Sequence, residues 1–290
     1  MPMPSFTPRS SWVPPSLASL PSWEGVKRVC VDLETRDPTL TKLGPGVRRN
    51  GHIIGFGFAI EGGPAAYLPT RHANGTNLDE DQVLRYMADQ AKHFKGEIVG
   101  ANLPYDLDYM AEKKIVFRQA MFRDVQIAEP LLDELQFSYS LDNIAGRRGI
   151  PGKDERLLKA AAAAWGIDPK SGMWELPPEF VGPYAERDVL LPLELLRQQE
   201  AELDAQGLRP VWDLESRLLP VLVKMRRRGV RIDFDRLDQI DDWSTEREVS
   251  ALSRITHITG IHLDTGDTTK TASLIPVLEH IGLRIPMTEP

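Results

Sequence analysis

The chain has one cysteine, Cys30, in 290 residues. No internal disulfide framework and no cysteine-based zinc site can be built from it, and a reducing compartment fits. It has no apolar run near the ~18–20 residues of a membrane span. It also lacks a basic start leading into a continuous apolar stretch, so Met1–Trp23, rich in Pro and Ser, is not a secretory signal and reads as a flexible leader. A basic excess is missing too. The formal net charge is −7, which argues slightly against holding nucleic acid by overall charge. It does not exclude a local site whose carboxylates are neutralised by bound metal ions. What the chain does have is core-forming material: it is 41% hydrophobic and 27% charged, which rules out disorder along its whole length. Its length corresponds to about two domains.

The first half alternates strand and helix signals. Val26–Glu34 reads as a buried strand, His52–Ile60 as a second strand broken by Gly55 and Gly57, and Ala65–Pro69 as a third. Asn77 with Glu80 has capping-box spacing before an apolar helical pattern at Leu84, Met87, Ala91 and Phe94. Glu97–Gly100 reads as a short strand, Tyr105–Lys113 as a helix and Ile115–Phe117 as an edge strand, and helix dominates from Asp124 onward. After Gly207, an amphipathic helix at Trp212–Arg228 carries Leu214, Leu218, Leu219, Leu222 and Met225 and ends at Gly229. Asp233 is placed to cap another helix reaching about Thr259, and a last one covers about Thr269–Ile281. The pattern is that of a mixed α/β domain followed by helices.

Three clusters carry chemistry. Asp32-Leu33-Glu34 sits at a strand end, where residues i and i+2 face one side. Two carboxylates aimed together from a buried strand are costly unless cations meet them. In Gly100-Ala101-Asn102-Leu103-Pro104-Tyr105-Asp106, a strand ends, a turn follows, and Asp106 lies in the first turn of a helix, where the dipole favours an acid. In Tyr184-Ala185-Glu186-Arg187-Asp188, Tyr184 and Asp188 share a helix face, while Glu186 and Arg187 read as solvated surface. Each cluster alone has an ordinary structural reading; the ordered set is far more specific.

Together the three resemble the Exo I, Exo II and Exo III motifs of the DEDD 3′→5′ exonuclease superfamily. Tyr184, with no histidine near Asp188, matches its tyrosine subgroup. The stretches Asp124–Glu134 and Tyr139–Ala145 are similar to the Exo II–Exo III link of family A (DNA polymerase I-like, phage-type) DNA polymerases. Leu214–Pro220 through Arg228–Asp233 is similar to the start of their polymerase region. The resemblance covers about residues 24–290.

It implies an RNase H-like mixed sheet with flanking helices at 24–206, after a leader at 1–23. A helical segment resembling the thumb entry would occupy 207–290, with no palm or fingers motifs and so no polymerisation by these residues. It leaves no room for a preceding 5′-nuclease domain. The implied activity is a metal-dependent 3′→5′ DNA exonuclease with a proofreading role, releasing nucleoside 5′-monophosphates. An RNA-trimming RNase D-like enzyme and a non-catalytic primer-holding module are the alternatives. Hard carboxylate ligands suit Mg²⁺ or Mn²⁺, and two such ions about 3.5–4 Å apart stabilise an in-line displacement at phosphorus.

By the same resemblance, Asp32, Glu34 and Asp188 hold the first ion. Asp32 bridges to the second, on which Asp106 acts directly or through water. Glu34 and the Tyr184 hydroxyl orient the attacking water. Asn102 either touches substrate or holds its turn. Tyr105 and Phe137 are candidates for base stacking, with core packing the stronger expectation for both. Lys113-Lys114, Arg147-Arg148 and Arg226–Arg228 are candidate phosphate contacts that also read as solvated basic faces. The expected partners are a single-stranded or frayed 3′ end of DNA and a polymerase domain in a longer or second chain. The expected location is cytoplasmic (of the host, for a phage gene), with no membrane.

Overall fold

A computed structural model describes residues 8–284 and divides after Arg228 into two compact units. The first unit is built on a five-stranded sheet of β1 (Arg28–Arg36), β2 (His52–Ile60), β3 (Ala65–Pro69), β4 (Glu97–Gly100) and β5 (Met121–Asp124). The strand order is β3-β2-β1-β4-β5. β1 pairs antiparallel with β2 and parallel with β4, β2 pairs antiparallel with β3, and β4 pairs parallel with β5. Helices α1 (Leu40–Leu43), α2 (Glu80–His93), α3 (Leu103–Glu112), α4 (Val125–Leu132), α5 (Leu141–Arg147), α6 (Arg156–Trp165), α7 (Pro178–Ala205) and α8 (Arg209–Arg228) flank it. This is the α/β mixed-sheet architecture expected from the motifs.

β1 is central because Val29, Cys30, Val31 and Leu33 are all buried, a run that fits only a strand covered on both faces. The Cys30 thiol lies in this run and is pushed up by burial, which leaves it inert.

Several local expectations change. The edge strand expected at Ile115–Phe117 is absent. Lys114 takes a left-handed φ of 62°, and the Ile115 N–H closes the end of α3 on the Met110 carbonyl at 2.9 Å. Ile115 and Phe117 are then buried as core plugs. The fifth strand is Met121–Asp124 instead, too short to show a two-residue alternation. α2 is capped by Asp79, whose carboxylate accepts the Gln82 N–H at 2.8 Å. Asn77 instead clamps a loop through paired bonds with the His72 backbone.

The described part of the leader is held on the first unit. Trp23 is 1% exposed and packs among Phe58, Tyr86, Phe94 and Phe117. Trp12 lies over Gly182 and donates from its indole N–H to Glu186 at 2.9 Å. Two tryptophans outweigh the Pro/Ser composition, because large aromatics bury the most area per side chain.

α8 also belongs to the first unit, so the boundary expected near 207 lies inside it. The helix buries Trp212, Ser216, Leu219 and Val223. Of the apolar stripe read from its sequence, only Leu219 is inside; Leu214, Leu218, Leu222 and Met225 are exposed. Arg123 fixes the inner face, reaching Glu97 at 2.8 Å and Asp213 at 2.6 Å while stacking on Trp212 at 4.3 Å.

The second unit contains α9 (Phe234–Thr259) and α10 (Thr271–His280). Asp233 caps α9 as expected, accepting the Arg236 N–H at 3.0 Å. Leu263 and Val277 are buried, while Phe234, Leu237, Ile240 and Trp243 are exposed. Among the described residues no helix is long and apolar enough to cross a membrane.

Candidate metal centre

Asp32 and Glu34 leave β1 on the side covered by α7, and one glycine of β2 lets α7 come close. Asp32 pairs with Gly57 and Glu34 with Gly55. A Cβ on Gly57 would lie 3.0 Å from Val189 Cγ1 of α7, and one on Gly55 would lie 2.2 Å from the Tyr67 hydroxyl. With no side chain at Gly57, α7 settles against the sheet and presents Tyr184 and Asp188 to β1, while the bare Gly55 leaves room for the Tyr67 ring of β3. Asp32, Glu34 and Asp188 each offer an oxygen within 4.8 Å of the others. Glu34 and Asp188 are buried and Asp32 is half-buried.

Asp106 stands beside this group. It is 3% exposed, and its carboxylate accepts the N–H of Leu33, between the two β1 acids, at 3.1 Å. It does not join the three-oxygen cluster. Its helix is set by Asp124, which the sequence had not offered as a site residue. The Asp124 carboxylate accepts the N–H groups of Asn102 at 3.1 Å, Leu103 at 2.7 Å and Gln126 at 2.9 Å. Asn102 adopts the left-handed conformation (φ 62°) at the start of α3, and its side chain makes no capping hydrogen bond there.

Burial dominates the electrostatics. The Asp32 carboxyl is pushed up to about 7 by burial and then by the Asp188 charge, with Lys153 opposing. Burial, followed by Asp32 and Asp188, drives Glu34 well above the usual range. Asp106 rises well above it through burial and then Asp32. Burial raises Asp188 despite Lys153, and raises the Tyr184 phenol, which stays protonated. Two carboxylate oxygens of this group, Glu34 Oε1 and Asp188 Oδ1, are buried with no hydrogen-bond partner. Carboxylates buried in this way stay ionised only with a cation beside them. A hard divalent cation is the partner that an all-carboxylate set fits.

Sequence reasoning missed Lys153. Its ammonium donates to Asp188 Oδ2 at 2.6 Å and to the Tyr184 hydroxyl at 3.3 Å. It lies 31 and 35 positions from these partners, and no local period marks it. Glu186 and Arg187, read as surface, are engaged. Glu186 holds Trp12, and Arg187 binds Glu194 at 2.6 Å and the Pro151 carbonyl.

The other candidates divide. The Tyr105 hydroxyl is 2.7 Å from Thr35 Oγ1, and its ring packs on Tyr109 at 5.0 Å. Phe137 is fully exposed rather than core. The basic clusters are largely ion-paired: Lys113 with Glu80, Arg147 and Arg148 with Glu129, Arg226 and Arg227 with Asp108.

The chain is 56% identical over 289 residues to a DNA-directed DNA polymerase of Pseudomonas phage M6, covering 98% of this chain and 44% of that protein. Its sequence relatives are DNA polymerases. DNA polymerase I of Pseudomonas aeruginosa is 28% identical over 196 residues, 64% of this chain and 20% of its own. The chain thus spans less than half the length of these relatives. No family model matches.

Among solved structures, the POL domain of Pol1 from M. smegmatis, in complex with DNA primer-template and dNTP, superposes with a TM-score of 0.55. It has 16% identity and covers 86% of this chain and 36% of its own. Brucella melitensis NrnC bound to pGG superposes with a TM-score of 0.50 at 15% identity, over 72% of this chain and 90% of its own. These two share the fold. The resemblance to DNA polymerases drawn from the motifs is borne out.

Proposed function

We propose that this chain is a divalent-metal-dependent 3′→5′ DNA exonuclease, the proofreading part of a family A, phage-type DNA polymerase. The observation that carries the reading is the close Asp32–Glu34–Asp188 group, with two unpartnered buried carboxylate oxygens on the face where β1 and α7 meet. Asp32, Glu34 and Asp188 would hold one Mg²⁺ or Mn²⁺, and Asp32 with Asp106 a second. When bound, such ions supply positive charge to the phosphodiester as it is cleaved.

The chain's own groups do the rest. Glu34 and the protonated Tyr184 hydroxyl orient the attacking water, and Glu34 accepts its proton. The water oxygen bonds to phosphorus as the bond to the 3′ oxygen breaks, releasing a nucleoside 5′-monophosphate and leaving a new 3′ hydroxyl. The substrate is a single-stranded or frayed 3′ end. The expected location is the cytoplasm of a host cell.

The test is 5′-end-labelled single-stranded DNA and RNA of one sequence, digested side by side with Mg²⁺, Mn²⁺ or EDTA. DNA should shorten from its 3′ end in either metal and not in EDTA. Asp32→Ala and Asp188→Ala should each lose at least about 10³-fold. Tyr184→Phe should lose about 100-fold in kcat with little change in KM. Preferential RNA shortening would move the reading to an RNA-trimming enzyme. Metal binding without any cleavage would move it to a primer-holding module.

A further inference from the structure

Lys153 sits in the turn between α5 and α6, and the turn is braced on both sides. The Lys153 N–H donates to Asp142 Oδ1 of α5 at 3.2 Å. Arg187 of α7 donates to the carbonyls of Pro151 and Gly152. The side chain therefore enters the site from a fixed base. It is 19% exposed, against 4% for Asp188. Its ammonium also lies 5.4 Å from the centre of the Tyr184 ring, whose face attracts a cation. Among the described residues no other Lys, Arg or His forms an ion pair with Asp32, Glu34 or Asp188.

One ammonium thus serves a site whose donor set suits divalent ions. It occupies Asp188 Oδ2 at 2.6 Å, on a ligand that a metal must also use. Two cations cannot share that carboxylate at short range without strong repulsion. We propose that Lys153 is a displaceable counter-ion of the carboxylate site: it holds Asp188 and Tyr184 in place before metal binds, and it competes with the metal for Asp188. Lys153 is then a positioning residue that limits metal affinity in the free protein. Once displaced, its ammonium is left in the cleft as a partner for an incoming phosphate.

The inference rests on the metal-site reading above, and the test separates the two. Mn²⁺ is titrated into the wild-type chain, Lys153→Met, Lys153→Gln and Asp32→Ala without DNA, with free Mn²⁺ read by electron paramagnetic resonance. Both Lys153 variants should bind Mn²⁺ about tenfold more tightly than wild type, and Asp32→Ala should bind it least. Thermal unfolding gives a second readout. Both Lys153 variants should melt lower than wild type in EDTA, because Asp188 loses its counter-ion, and should gain more from Mn²⁺. Equal or weaker Mn²⁺ binding by both variants, with wild-type binding intact, would overturn the counter-ion role alone. No Mn²⁺ binding by any protein would overturn the metal site, and this role with it.

Discussion

At the scale of single residues, the site depends as much on what is missing as on what is present. Gly57 has no side chain exactly where Val189 approaches, and the Asp32 carbonyl lies 3.3 Å from its Cβ position. Gly57→Val should wedge α7 away from β1 and move Asp188 off the β1 acids. Overpacking of this kind costs about 1–3 kcal/mol. The expected outcome is a modest fall in Tm with a loss of nuclease activity far larger than the fall in stability explains. Thermal unfolding beside the DNA assay checks it, and normal kcat in a folded Gly57→Val protein would count against it. In the sequence these glycines read only as interruptions of a strand. The use of Gly57 depends on Val189 of α7, far along the chain, which no local pattern announces. Asp32, Glu34, Asp106, Tyr184 and Asp188 could be picked as candidates because residue type and short spacing are preserved in the chain itself; Lys153 could not, because its partners are remote.

At the scale of elements, local chemistry forecast some boundaries and missed others. β2 and β3 fall where the β-rich runs lie, and α9 begins after Asp233, since caps and alternation are short-range devices. The segment before β1 is the main departure. Composition marked it as a leader, yet Trp23 fills the aromatic cluster beside β2 and α2. Trp23→Ala should destabilise the chain by about 3–5 kcal/mol, measured by urea unfolding. A loss below about 1 kcal/mol would mean that the segment is only loosely attached. α8 teaches the same lesson in reverse: its apolar stripe is real, but its inner face is set by Trp212, Arg123 and Asp213.

At the scale of the whole molecule, stability is tied to pH through buried groups of opposite sign. His72 is lowered to about 4, chiefly by burial, with its ring nitrogens engaged by the Tyr67 hydroxyl at 2.7 Å and the Leu176 carbonyl at 2.8 Å. Folded His72 refuses a proton that the unfolded chain accepts below its ordinary value of 6.5. Its contribution is therefore complete above that value and is lost as pH falls towards about 4, at up to about 1.4 kcal/mol per pH unit. The raised site carboxylates act the other way, gaining stability as pH falls, so the readout must be a difference. The stability gap between wild type and His72→Gln should shrink between pH 7 and pH 5 in urea unfolding. A constant gap would show that His72 titrates normally.

The sequence by itself determined the ordered acidic motifs, the alternation of strands and helices, and the absence of a disulfide framework. These follow from residue type, short spacing and local periodicity, all of which survive without a fold. Tertiary structure alone decided that three of the four acids form one close group and that Asp106 stands beside it on the Leu33 N–H. It also decided that Lys153 neutralises Asp188, that Gly57 admits α7, and that Trp23 and α8 complete the first unit. Each of these joins residues far apart in the chain, and only packing in three dimensions brings such residues within reach of one another.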